Sequence, residues 1–135
     1  MKRLAIALAA LMIITCSKQD STTDYLIGTW QLTKTIDERY DSNGYITNRS
    51  DTAVAWDERM SFSTNGSAIH SHNNGESYEY AYTYDEKNKL LTINKKSYSI
   101  EELTNTSLII CSQTIYSDSF GKGYVYNRKC WKKVK

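Results

Sequence analysis

His70-Ser71-His72 sets two imidazoles two residues apart, on one face of the chain if it is extended there. Two histidines so placed can hold zinc once a third ligand joins them, and Glu76 and Glu79 are the carboxylates that stand nearby in sequence. The pair lies beside the turn signal Asn73-Asn74-Gly75 in polar company, so it reads as a solvated strand edge, and no metal or other cofactor is assigned. Just downstream, Tyr78, Tyr80, Tyr82 and Tyr84 alternate with Glu79, Ala81 and Thr83. Facing inward, these rings either line a cavity, offering hydroxyls to a ligand's polar groups, or fill a core with no room for one. Trp56 joins them as a candidate ligand contact. Glu58 falls on the same alternating face as Trp56, Met60 and Phe62. A buried acid has a raised pKa unless paired, and Lys34 and Arg59 make a surface pair the simpler reading. The chain shows no nucleophile–base motif, no glycine-rich phosphate loop and no HExxH. No catalytic residue is assigned, and the chain does not read as an enzyme.

The cysteines divide by position. Cys16 ends an apolar run from Leu4 to Ile14 that follows Lys2 and Arg3. That run is too short to span a bilayer and has the layout of an export signal. Ile13-Ile14-Thr15-Cys16 resembles the bacterial lipobox, with Thr15 where a smaller residue is usual. Residues 1–15 are then a signal peptide, Cys16 is acylated, and 16–24 form a flexible tether. The expected address is the bacterial envelope, as an outer-membrane lipoprotein facing the periplasm or the cell surface. An oxidising compartment leaves Cys111 and Cys130 as the pair able to bridge. A hairpin in which 119 faces 122 sets 111 opposite 130, and a disulfide between them is expected.

The elements that must carry these residues are strands. The 135 residues include eleven Tyr and no Pro, and after residue 15 Thr, Ser, Tyr and Ile are common while Ala is scarce. Without Lys2 and Arg3 the basic and acidic residues balance, which speaks against nucleic acid as a partner. Leu26 to Ile36 alternates with Gly28, Trp30, Leu32 and Ile36 on one side, and Lys34 breaks that face where the strand must bend. Gly28 lets another chain segment approach closely, and Trp30 is placed to plug a barrel base. Residues 37–51 read as a protruding hairpin or a lid, with Asn43-Gly44 at its tip. Seven more strands follow, near 54–62, 68–71, 78–84, 90–93, 97–101, 108–115 and 124–132. Eight short strands with turn signals between them imply an all-β domain over 25–135. The expected form is an eight-stranded antiparallel up-and-down barrel, with a β-sandwich as the alternative. In the barrel the first and last strands are neighbours, so Gly28 and Trp30 lie near Trp131.

Four stretches carry a family likeness: Leu26-Ile27-Gly28-Thr29-Trp30; Phe62-Ser63-Thr64-Asn65-Gly66; Tyr82-Thr83-Tyr84-Asp85 with Leu90-Leu91-Thr92-Ile93; and Leu103 to Leu108. Together they resemble the lipocalin-like domains of small lipoproteins of the Bacteroidetes. The resemblance implies a calyx-like barrel, a pocket for a small apolar or amphipathic molecule, and no catalytic residues. Lipocalins also pack a basic residue over the Trp of Gly-x-Trp, a part open here to Arg128, Lys132 or Lys133. The candidate partners are a membrane through Cys16, a small apolar ligand, and an envelope protein. The competing role is that of a non-catalytic accessory module of an envelope complex, through an exposed aromatic patch around Tyr40, Tyr45 and Trp56. The anchor is checked by fractionation: Cys16→Ser should move the protein out of the membrane pellet, whereas retention through a salt and carbonate wash would refute lipidation.

Overall fold

The structure is a computed structural model describing residues 22–119 and 121–135. The signal segment, Cys16 and most of the expected tether lie outside the described residues. A short helix, α1 (Thr22–Leu26), leads into β1 (Gly28–Asp41) and β2 (Ile46–Ala53). Next come β3 (Arg59–Phe62), β4 (Ser67–Ser71), β5 (Ser77–Asp85) and β6 (Leu90–Ile93). The chain ends with β7 (Lys96–Leu103), β8 (Ser107–Asp118) and β9 (Gly121–Lys133).

All strand pairs are antiparallel, and β3 to β9 pair in chain order. β1 then pairs with β9 from Trp30–Lys133 to Asp41–Gly123, which closes an eight-stranded barrel and removes its edges. The sandwich alternative is thereby excluded. The ninth strand, β2, lies outside the barrel. The first half of β1 pairs with β3 and its second half with β2, both on the same edge. The segment 37–51, expected as a hairpin or a lid, is a hairpin with Asn43-Gly44 at its tip, where the Gly44 amide bonds the Asp41 carbonyl. The following strand starts at Arg59, not Val54, because 54–58 cross beside a bulge in β1. There the Val54 amide bonds the Thr33 carbonyl and the Leu32 amide bonds the Glu58 carbonyl. The bulge falls between Leu32 and Lys34, where the apolar alternation breaks.

The core is the inward set of the barrel strands: Trp30, Leu32, Met60, Phe62, Ala68, Tyr82, Leu91, Ile93, Ile100, Leu108, Ile110 and Trp131. Leu26 completes it from α1. Residues 22–26 thus plug the base as a helical turn, in place of the end of a tether and the start of a strand. The reason is local: Leu26 is fully buried and its carbonyl accepts the Trp30 indole N–H at 2.8 Å. The basic residue over Trp30 is Lys133, with Nζ 5.1 Å from the ring centroid and donating to the Tyr25 carbonyl at 2.8 Å. Gly28 permits this, since a Cβ there would come within 2.8 Å of Lys133 Cε and its φ is +124°.

Above the opposite end, β1, β8 and β9 run on past the short strands and, with β2, form a four-stranded wall. Glu38 is its keystone, 4% exposed. Arg49 of β2 donates to Glu38 Oε1 at 2.6 Å, and Arg128 of β9 to Oε2 at 2.6 Å, where the Tyr40 hydroxyl also donates at 2.8 Å. Arg128 Nε donates in turn to Glu101 of β7 at 2.7 Å. Gly123 lets β9 pack close: a Cβ there would sit 2.0 Å from the Tyr40 carbonyl oxygen, which the Tyr116 hydroxyl reaches at 2.9 Å. The hydrogen bonds from Arg128 and Tyr40, with the charges of both arginines, hold the Glu38 carboxyl below its ordinary value of 4.5. A depressed carboxyl stabilises fully above that ordinary value and loses its contribution as pH falls through the folded-state pKa. Glu38→Gln should cost about 2 kcal/mol at pH 7. In denaturant unfolding across pH, the gap to wild type should narrow below pH 4.5; a gap that ignores pH would contradict the ionic role.

Candidate functional site

The barrel is filled at its base and hollow toward the wall. There a cavity of about 330 Å³ is lined by Met60, Tyr80, Ile93, Tyr98, Ile110 and Trp131, with His70, Asn94, Lys96 and Lys129 as its polar groups. The volume is at the small end of ligand pockets. β6 and β7 supply Ile93, Lys96 and Tyr98 at their hairpin, while β8 and β9 supply Ile110, Lys129 and Trp131. Trp131 is 3% exposed, and its indole N–H has no acceptor among the described residues. A buried donor left so costs about 1–3 kcal/mol.

Beside the cavity stands a polar cluster that joins strand ends. Met60 of β3 is opposite His70 of β4, so Glu58, two residues before Met60, and His72, two after His70, come to the same place. His70 Nε2 is 2.9 Å from Glu58 Oε1, and the Trp56 indole N–H donates to Glu58 Oε2 at 3.1 Å. Lys129 Nζ lies 3.8 Å from Glu58 Oε1, and the His70 and His72 rings are 4.2 Å apart between centroids. Burial pushes the Glu58 carboxyl up, but the hydrogen bonds from Trp56 and His70 and the charge of Lys129 outweigh it and hold the group below its ordinary value. Burial also pushes the His70 imidazole down, and its bond to Glu58 only partly opposes this. Glu58 is therefore an anion and His70 neutral at pH 7, with Nε2–H donating to the carboxylate.

The tyrosine ladder is split by depth. Tyr80 lines the cavity and Tyr82 is core, its hydroxyl donating to the Ser63 carbonyl at 2.7 Å. Tyr84 lines a separate cavity of about 240 Å³ with Ile100 and Leu103. Tyr78 is 45% exposed at the rim and donates to Glu76. Trp56, expected on a strand facing a ligand, is 48% exposed in the crossing segment and reaches the site only through Glu58. Glu58 is not in a surface pair with Lys34, which bonds Asp51, or with Arg59, which bonds Asp57. Neither Glu76 nor Glu79 is the third member of the cluster: Glu76 accepts from Tyr78 and feels His72 only through its charge, and Glu79 pairs with Ser67. Ile93, Lys96, Tyr98, Ile110 and Lys129 are cavity residues that the sequence reading did not single out. Inward alternation was their one signal, and it does not say which inward residues leave space.

Tyr40, Tyr45 and Trp56 form no common patch. Trp56 lies about 20 Å down β1 from Tyr40, at roughly 3.3 Å per residue. Tyr40 instead stacks on Tyr124 at 4.7 Å and heads a row across the wall, Ile46–Tyr40–Tyr124–Ile115, in which Ile115 is 81% exposed.

Comparison with protein-family models gives no match, and comparison with curated proteins gives none.

The expected disulfide is absent: Cys111 and Cys130 are free thiols. Asp118 pairs with Gly121, so the hairpin is centred one residue earlier than expected, and Cys111 faces Arg128 while Cys130 faces Ile109. The cysteines share a face but only as diagonal neighbours, typically about 7–8 Å apart and beyond the usual bridge. Cys111 Sγ instead donates to Glu101 Oε2 at 3.2 Å, and burial pushes its pKa up to about 11. Mature protein denatured without reductant should titrate with both thiols, and in the native state Cys111 should alkylate far more slowly than after unfolding. No reactive thiol on denaturation would restore the bridge.

Proposed function

We propose that this chain is a non-catalytic envelope lipoprotein, tethered to a membrane through Cys16, whose lipocalin-like barrel holds a small amphipathic molecule bearing an acceptor or anionic group. The observation that carries the reading is the cavity at the barrel mouth. Its apolar side, Met60, Tyr80, Ile93, Tyr98 and Ile110, suits a hydrocarbon or ring body. Its charged donors are Lys96 and Lys129, which suit a carboxylate or similar head. The cavity holds only about 330 Å³, so the ligand is small. A second reading, an accessory module docking to an envelope protein, is favoured by the row Ile46–Tyr40–Tyr124–Ile115, half-buried at its tyrosines and exposed at both ends, with Tyr45, which is 72% exposed, at the hairpin tip.

A fluorescent probe with a short apolar body and a carboxylate should bind saturably, and its uncharged alcohol analogue about tenfold more weakly. Tyr80→Ala should weaken both probes by a similar factor, because it removes cavity wall and leaves the donors. If the wild-type protein binds neither probe, the carrier reading fails. A protein rather than a small molecule co-purifying from the native host, seen by native mass spectrometry, would then favour the second.

A further inference from the structure

We propose that Glu58, His70 and His72 form a binding site for a divalent transition-metal ion of the zinc class at the rim of the barrel cavity. Each residue offers one ligand atom, and these atoms lie within 4.8 Å of one another. An ion held by bonds of about 2.0–2.2 Å in a tetrahedron sets its ligand atoms about 3.4 Å apart. Glu58 Oε1 and His70 Nε2 are already at 2.9 Å. The set therefore closes on an ion with a side-chain adjustment of about 1 Å, once the His70 proton passes from Nε2 to Nδ1 and leaves the Nε2 lone pair for the metal. His72 can make it from its place just past the end of β4, half-buried and with its ring beside those of His70 and Tyr78.

The donor types narrow the ion. Two imidazoles and one carboxylate suit zinc, cobalt, nickel or copper, whereas calcium and magnesium take all-oxygen sets. The surroundings are those of a built site rather than a chance surface group. Glu58 is buried, and the Trp56 indole N–H occupies its Oε2, which directs Oε1 toward the histidines. Three protein ligands leave a fourth position for a small exogenous ligand, as in open zinc sites. Against the ion stands Lys129, whose Nζ is 3.8 Å from Glu58 Oε1 and whose side chain is 36% exposed. That exposure lets the ammonium swing into solvent when a cation takes its place, at an electrostatic cost that weakens binding. The cluster shares His70 and Lys129 with the cavity lining, so the ion is titrated into protein with no cavity ligand added.

The mature protein, in detergent and without a polyhistidine tag, is titrated with Co²⁺ and then Zn²⁺. One Co²⁺ per chain should bind with the strong visible absorption of a four-coordinate ion and be displaced by Zn²⁺. His72→Ala, which removes a half-buried ring that packs beside His70 and Tyr78 and makes no side-chain hydrogen bond among the described residues, should raise the Kd by about tenfold or more with little change in thermal unfolding. Lys129→Met should lower the Kd by about fivefold, a direction that adventitious surface binding would not show. Absence of saturable binding, an unaltered Kd in His72→Ala, or weaker binding in Lys129→Met would overturn the site.

Discussion

The pairing of β1 with β9 is the constraint on which the rest of the molecule depends. Every other strand pair joins neighbours in the chain, or nearly so, and forms locally. This one joins the two ends of the domain across about a hundred residues, and its loop-closure cost must be met by contacts at the seam. Two sets of contacts meet it. Inside, Trp30, Leu32 and Trp131 are buried together, with Lys133 over the Trp30 ring and bonded to the α1 backbone. Outside, Glu38 accepts from Arg49 and Arg128, and Arg128 continues to Glu101, so one chain of charged hydrogen bonds crosses from β2 to β7. Glu38 is the buried member of this set, so removing one of its arginines leaves its charge less well matched, and the seam is bound to β2 as well as to the barrel.

The seam also decides where the cavity is. α1, Leu26 and Trp30 fill one end, and the long strands β1, β8 and β9 carry on past the other. The space that remains lies under the wall, between short strands whose inward residues run out before the long ones do. Polar groups collect there for the same reason. Glu58 and His72 sit just outside β3 and β4, where the inward face is no longer sealed by a neighbouring layer, and Lys129 faces inward from a strand long enough to reach them. The apolar cavity and the Glu58–His70–His72 cluster are thus two consequences of one mismatch in strand length.

Several features follow from the sequence by itself. Alternation and turn residues give the strands of the barrel and their order, since short links between antiparallel neighbours leave little choice. The bulge after Leu32 is legible because Lys34 interrupts an apolar face, and the tip of the first hairpin because Asn43-Gly44 accepts positive φ. The closeness demanded at Gly28 is legible too. What crosses it, the Lys133 side chain, is not, because that contact joins the two ends of the chain.

Tertiary structure alone decided the rest. α1 is helical because Leu26 must cover the barrel base, a demand that five residues of ordinary propensity do not announce. The thiols stay apart because pairing Asp118 with Gly121 moves the β9 register by two residues, and sequence holds no signal that fine in a turn of several polar residues. The tyrosine ladder shares one face, yet depth along the barrel axis makes Tyr82 core, Tyr80 cavity wall and Tyr78 rim. The third member of the histidine cluster is Glu58, twelve residues before His70, and not the nearer Glu76 or Glu79. Periodicity tells which side a residue faces; only the register between strands tells which residues meet there.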